Sequence, residues 1–355
     1  MSFTYGSDDK TGQQARFDAQ KIAFAPIMFQ AAKALRDMGI LKYLMKNRRK
    51  GALSEDIAHH LDLSEYSVKV LLEAGLSLEM VKVEDDKWSL TKTGYFILND
   101  KLTRVNMNFT NDVNYLGFFH LQEALKNGKP EGLKVLGGWN TIYEGLSELP
   151  DDIRESWFAF DHYYSDDSFP EVMNYVFQDK PARILDVGGN TGKFSIFCAR
   201  YDQDVRLTIL DLPGQVKEAL KNIDDQGFSD RIDTLSADLL DSSVAFPKGY
   251  DVIWMSQFLD CFSQEGILSL LRRSFDALDG NGSLFILETY WDKQQFEAST
   301  YSLHATSLYF TAMANGNSQM YHSRDMKKLI EKSGLYIDKT YEDIGVSHTL
   351  FKCKR

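Results

Sequence analysis

One stretch constrains this chain more than any other. Arg183-Ile184-Leu185 reads as a short apolar strand running into Asp186-Val187-Gly188-Gly189-Asn190-Thr191-Gly192, and a helical face of Phe194, Phe197, Cys198 and Tyr201 follows at once. Strand, glycine turn and helix open an α/β ligand-binding unit. The glycines let the backbone turn tightly and approach a ligand, and the free N–H groups of the helix start face the crevice. The chain then keeps alternating. "RLTILDL", "DVIWMSQFL" and "GSLFILETY" read as strands, with a helix from Gln264 to Leu278 and a "DGNG" turn between the last two. "LYIDKTYEDI" and "HTLFKCKR" read as two final strands. Alternation of this kind predicts an α/β fold, a parallel Rossmann-like sheet with helices on both faces.

The acids at the strand ends select the ligand. A dinucleotide site has the pattern G-x-G-x-x-G, which Asn190 interrupts here, and Asp186 would repel a pyrophosphate. S-adenosylmethionine (SAM) has no phosphate, carries a sulfonium and an ammonium, and offers a carboxylate to the helix start. Asp211 ends the second strand, where ribose hydroxyls lie in this fold. Asp238, in "SADLL", follows another short strand, within reach of the adenine end. A formal net charge of −11 argues against a nucleic-acid partner, which requires Lys and Arg for its phosphates. Cys198, Cys261 and Cys353 form no metal-ligand pattern and read as free thiols, so no metal is expected. The polar start, Met1 to Lys10, lacks an apolar leader core, and no apolar run is long enough for a bilayer, so a cytoplasmic protein without membrane contact is expected.

Ahead of this domain the pattern is helical. Residues 1–20 are polar and read as a mobile arm. Ile27, Ala31, Ala34, Leu35 and Met38 share one helix face that Gly39 can end. Leu41 to Met45, a helix capped by Ser54, a helix capped by Ser64, and strands Met80–Glu84 and Lys87–Leu90 about an Asp-Asp turn spell a winged helix. The helix from Ser64 to Ser77 offers only Lys69 against Glu65 and Glu73, poor equipment for DNA, so this unit reads as a dimerisation module. We divide the chain into a winged-helix-like dimerisation domain, 1–105, and a SAM-binding domain, 106–355. Residues 106–180 form a helical linker and pocket roof. Its aromatic stripe includes Tyr115, Phe118, Phe119, Trp139, Tyr143, Trp157, Phe158, Phe160, Tyr163 and Tyr164.

These residues together resemble the SAM-dependent O-methyltransferases of the plant caffeate and isoflavone type and their bacterial relatives. "DVGGNTG" is similar to that family's DVGGGTG, "LDLPGQV" to FDLPxVV, "ADLL" to GDMF, and "LTKTG" to LTxxG. The resemblance runs over nearly the whole chain from about Ala23. It implies a class I methyltransferase domain behind an α-helical winged-helix dimerisation domain, SAM as cofactor, a small-molecule acceptor, and a homodimer through the N-terminal domain. By the resemblance, Asp186, Gly188, Gly189 and Gly192 line the SAM loop. Asp211 holds the ribose, Leu212 lies against the adenine, and Asp238 and Leu239 flank it. "FDHYYSDDS" is similar to FNxxMSxHS, which places Ser168 on the SAM carboxylate and Tyr164 toward the acceptor; Phe160, from the aromatic stripe, and His162 are further candidates for the acceptor pocket.

Departures from the family sit at the chemistry. The histidine of its LHDW motif is Asp260 here, a nearby Lys is Ser256, one supporting acid survives as Glu288, and the second falls near Gln319 and Met320 and is absent. Unperturbed Asp is a weaker base than His by ~2.6 pH units, roughly 3.5 kcal/mol less driving force for proton removal. Burial beside Glu288 would recover part of that. His304, in "TYSLHATSLYF", is a second candidate base. The sequence therefore carries three readings. The first is a SAM-dependent methyltransferase acting on a hydroxyl of an aromatic or polyketide-like molecule, with Asp260 as base or orienter and Glu288 supporting it. The second is a SAM-binding protein that has lost methyl transfer. The third is a winged-helix transcription regulator.

Overall fold

A computed structural model describes residues 8–355, which separate into two compact units meeting between Asn108 and Phe109. In the smaller unit, helices span Gly12–Ala23, Ala25–Asp37, Ile40–Lys46, Ser54–Leu61 and Glu65–Ser77. The polar arm expected over residues 1–20 is therefore helical from Gly12. Thr11 caps that helix, its hydroxyl accepting from Gln14 N while Gln14 accepts from Thr11 N, a reciprocal box that satisfies two end groups. Residues 1–7 lie outside the described part. Gly39 turns the chain at φ 86°. Ser64 caps its helix through Ser67 N at 3.0 Å, whereas Ser54 is already inside its helix and caps nothing.

The hairpin follows as β1 (Val81–Glu84) and β2 (Lys87–Leu90), with Asp85 and Asp86 at positive φ in the two-residue turn. Helices Lys92–Asn99 and Lys101–Asn108 close the unit. Leu35, Ile40, Leu41, Leu44, Ile57, Val68 and Leu72 make its core. Phe17, Ile22 and Ile27 on its first two helices, and Phe24 between them, remain exposed.

The larger unit holds a sheet of β3 (Arg183–Val187), β4 (Arg206–Asp211), β5 (Ile232–Ser236), β6 (Val252–Ser256), β7 (Ser283–Glu288), β8 (Tyr336–Ile344) and β9 (His348–Lys354). The order is β5-β4-β3-β6-β7-β9-β8. The first five run parallel, but β9 is antiparallel to both β7 and β8, so the sheet is mixed rather than parallel. The physical reason is the short connection from Ile344 to His348. It can close only a hairpin, since a parallel neighbour needs a long crossover.

Alternate residues of the central strands feed two cores. Leu185, Val187, Ile253 and Met255 face one layer, and Ile184, Ile209, Trp254 and Phe285 the other. The chain steps outward from β3 to β4 and β5, then returns to place β6 on the other side of β3. That reversal leaves a crevice at the carboxyl ends of β3, β4 and β6, the place where open α/β sheets bind ligands. Over it lie the helices Asp151–Ser165 and Glu297–Tyr309, tied by Trp157 Nε1 donating to the Tyr309 hydroxyl at 2.8 Å. Phe109 stacks on Phe160 with ring centroids 3.9 Å apart. Among the described residues, no helix is long and apolar enough to cross a membrane.

Candidate active site

Two adjoining cavities occupy the crevice. The larger, about 260 Å³, is walled by Asp211, Leu212, Asp238 and Leu239 at one end and by Tyr143, Trp157, Phe160, Asp260 and Tyr309 at the other. The smaller, about 80 Å³, is bounded by Asp186, Gly188, Gly189, His162, Lys193 and Ser256. Asp161, Gly188, Asn190 and Gln257 line both.

The loop after β3 is set by its backbone. Gly188 has φ 74° and Gly192 φ 80°, and Asn190 takes the left-handed region at φ 49°, which Asn tolerates better than most side chains. At Gly188 a Cβ would run into the ring of Phe258. Gly192 precedes the helix Lys193–Tyr201 and lines neither cavity. A Cβ there would point at Ile209 and Ala219, so its work is the turn and not the ligand wall that the sequence suggests.

Each acid has its own environment. Asp186, only 2% exposed, accepts from Ser195 Oγ at 2.6 Å, and burial lifts its pKa to about 7. Asp211 accepts from Asn190 N at 2.8 Å and from Leu212 N at 2.7 Å, with burial lifting it to about 6. Asp238 is exposed at the rim and accepts from Leu240 N. Asp260, 5% exposed, sits on the single turn Leu259–Cys261 after β6, where burial lifts it to about 6 against a contact from Cys261 Sγ.

Glu288 reaches neither cavity. Its Oε1 accepts from Phe258 N at 3.1 Å and Leu259 N at 2.8 Å, so it supports the turn that carries Asp260. Burial first, and the Asp260 charge second, push it well above the ordinary carboxylate range. The place expected for a second supporting acid is filled by Met320, which lines the large cavity and whose sulfur accepts from Thr289 Oγ1.

Two candidates fall away. Ser168 is fully buried, and its hydroxyl donates to Ser165 O at 2.6 Å, outside both cavities. It is Ser165, three residues earlier, that faces the small cavity. His304 is exposed and packs on Trp291, because its helix turns Leu303, Thr306 and Tyr309 inward instead. Of the acceptor-side candidates, Phe160 and Tyr164 line the large cavity, and His162 lines the small one, where burial lowers it to about 4 and keeps it neutral. Of the roof aromatics, Tyr143, Trp157, Phe160 and Tyr164 face the large cavity, whereas Phe119 points to solvent.

Sequence reasoning missed Asp161 and Gln257. Asp161 accepts from Asn190 Nδ2 at 3.1 Å. Burial, then the charges of Asp260 and Asp166, lift it to about 7. Gln257 has φ 47°, and its Nε2 donates to His348 Nε2 at 2.6 Å. A polar residue just ahead of the Leu259–Cys261 turn was the available signal for Gln257. Its partner, more than ninety positions away, gave none.

The smaller unit matches the Dimerisation2-like domain over residues 16–88, and the larger matches the O-methyltransferase domain over residues 170–336. The chain belongs to the SAM-dependent O-methyltransferase family. Among its relatives, the L-tyrosine C(3)-methyltransferase of Streptomyces lavendulae is 24% identical over 88% of this chain and 85% of that protein. The 3-hydroxy-5-methyl-1-naphthoate 3-O-methyltransferase of Streptomyces sahachiroi is 25% identical over 67% of each. The apo crystal structure of the SAM-dependent methyltransferase SibL shares the fold, with a TM-score of 0.70 at 23% identity over 95% of this chain and 98% of that one.

The family uses SAM. The small cavity suits its amino-acid end. Three buried polar atoms on its wall, His162 Nε2, Asn190 Oδ1 and Ser256 Oγ, have no protein partner, and buried groups of this kind are costly unless something bonds them.

Proposed function

We propose that this enzyme transfers the methyl group of SAM to a small hydroxylated aromatic acceptor. The observation that carries the reading is the division of one crevice into two joined compartments. One is polar, with orphaned hydrogen-bonding groups; the other is aromatic and ends on Asp260. Asp211 would take the ribose hydroxyls, Leu212 and Leu239 the adenine faces, with Asp238 at the rim. The loop Gly188–Asn190 and Ser256 would hold the amino-acid end. When bound, SAM supplies a methyl carbon activated by the sulfonium.

The chain's own contribution is alignment and proton removal. Trp157, Phe160, Tyr164 and Tyr309 form flat walls that orient an aromatic ring, and alignment alone can be worth roughly 7–11 kcal/mol. Asp260 takes the proton of the acceptor hydroxyl. Raised to about 6, it is nearly as basic as an ordinary histidine, so the deficit inferred from composition shrinks from roughly 3.5 to under about 1 kcal/mol. Glu288 fixes Asp260 through the backbone of Phe258 and Leu259. The exposed apolar residues Phe17, Ile22, Phe24 and Ile27 of the Dimerisation2-like unit would be covered in a homodimer.

A second reading moves the methyl to a ring carbon next to the hydroxyl. The relative from Streptomyces lavendulae favours it, being named for methylation of tyrosine at carbon. An ionised phenol is nucleophilic at that carbon as well as at oxygen, and Asp260 would serve both outcomes. The test is calorimetric titration with SAM and S-adenosylhomocysteine, followed by incubation of labelled SAM with a panel of phenols, hydroxynaphthoates and tyrosine. NMR of any product separates O-methyl from ring methyl. Binding of SAM without transfer to any member would overturn the methyltransferase reading and leave a SAM-binding protein of other function.

A further inference from the structure

Asp161 is the one ionisable side chain that lines both cavities; the other shared residues are Gly188, Asn190 and Gln257. A molecule with its adenosine by Asp211 and its amino-acid end by Ser256 must pass this junction, and the middle of SAM is its sulfonium. We propose that Asp161 is the electrostatic anchor for that cation, and that it makes the site discriminate the charged cofactor from its neutral product. The proposal rests on the SAM reading given above.

Three observations support it. First, Asp161 lies in a field short of positive charge. Asp260 and Asp166 both act on it, and the neighbouring cation, Lys193, is paired with Asp166 at 2.7 Å. Second, one amide hydrogen bond from Asn190 Nδ2 is the contact that holds the Asp161 carboxylate, on Oδ2. Asn190 is itself held by Asp211, whose Oδ2 accepts from its backbone N. The ribose acid and the junction acid are thus joined through one residue. Third, Asp161 and Asn190 both depart from the family strings, which carry Asn and Gly in their places, and the two departures touch each other.

Asp161, lifted to about 7 in the empty site, is drawn into its ionised form by the cation beside it, and that attraction ends when the methyl leaves and the sulfur becomes a neutral thioether. That favours release of S-adenosylhomocysteine, the product that otherwise binds through the same adenosine and amino-acid contacts. No bond to Asp161 forms or breaks, so it is a binding residue and not a base.

The experiment is calorimetric titration of the full chain and of Asp161→Asn with SAM and with S-adenosylhomocysteine separately. Asn keeps the size of the side chain and removes its charge. The expected result is a loss of SAM affinity of tenfold or more, with S-adenosylhomocysteine changed less than twofold; retained product binding also shows that the site is folded. Asp161→Glu, which keeps the charge, should restore part of the preference for SAM. Equal losses for both ligands, or no loss for either, would overturn the proposal while leaving the cofactor reading intact. If the unaltered chain binds neither ligand, both fail together.

Discussion

Replacing Asp186 by Asn isolates the electrostatics of the ligand loop without any acceptor. Asp186 is 2% exposed, has one side-chain partner in Ser195 Oγ, and is lifted from 3.8 to about 7, chiefly by burial. A raised acid pKa means that the folded state binds more protons than the unfolded state between the two values. Stability therefore falls as pH rises from about 4 to about 7, and the contribution of neutral Asp186 is fully present only below about 4.

At ~1.36 kcal/mol per pH unit, the accumulated cost is about 1.6 kcal/mol at pH 5 and about 4 kcal/mol at pH 8. Asn carries no such cost at any pH. Its extra N–H donors can cost ~1–3 kcal/mol if unsatisfied, but that cost is the same at both pH values. The difference in stability, variant minus wild type, should rise by about 2.5 kcal/mol between pH 5 and pH 8. Asp161 and Asp260 are common to both proteins and do not act on Asp186, so their contributions largely cancel, while the charge of Asp211 is part of the cost on Asp186 that the variant removes. Urea titrations followed by near-ultraviolet circular dichroism, which reads the buried stack of Trp254 on Phe194, measure it. A difference that stays constant from pH 5 to pH 8 would refute the assignment of a buried acid that holds its proton up to about pH 7.

Other expectations follow from the same geometry. Asp260→Asn should lower kcat by about 10²–10⁴ and leave SAM affinity within about twofold, and the wild-type rate should climb about tenfold per pH unit up to about 6 and then level; a flat profile below 6 removes Asp260 as the base. Glu288→Ala takes the acceptor from two backbone N–H groups and should cost about 2–4 kcal/mol of stability, whereas Glu288→Gln, which keeps an acceptor, should cost under about 1 kcal/mol; thermal melts compare them. Gly188→Ala combines a left-handed φ with overlap on Phe258 and should cost about 2–5 kcal/mol and abolish SAM binding by calorimetry. His304→Ala, at a residue that lines neither cavity, should leave kcat/KM for methyl transfer within about twofold.

What the sequence determined is whatever depends on near neighbours along the chain. The glycine loop, the strand ends at Asp186 and Asp211, the winged hairpin with its Asp85-Asp86 turn, and the capping by Ser64 are written in local spacing. The resemblance to the family's LHDW motif singled out Asp260 as a candidate base. It could not say how basic that residue is, because burial beneath a roof of distant helices sets the value.

Helix phase was decided by tertiary packing as well. His304 and Leu303 are adjacent in sequence, yet only Leu303 meets the cavity. Ser168 and Ser165 exchange roles for the same reason, one spent on a backbone carbonyl and the other facing the ligand compartment. Glu288 acts through the backbone of a turn roughly thirty residues earlier, and Asp161 meets Asn190 across a similar separation. The antiparallel placement of β9 between β7 and β8 follows from a hairpin closed on a finished sheet. In each case a polar group or a strand edge found its partner only when folding brought remote segments into contact, and no periodicity along the chain encodes that distance.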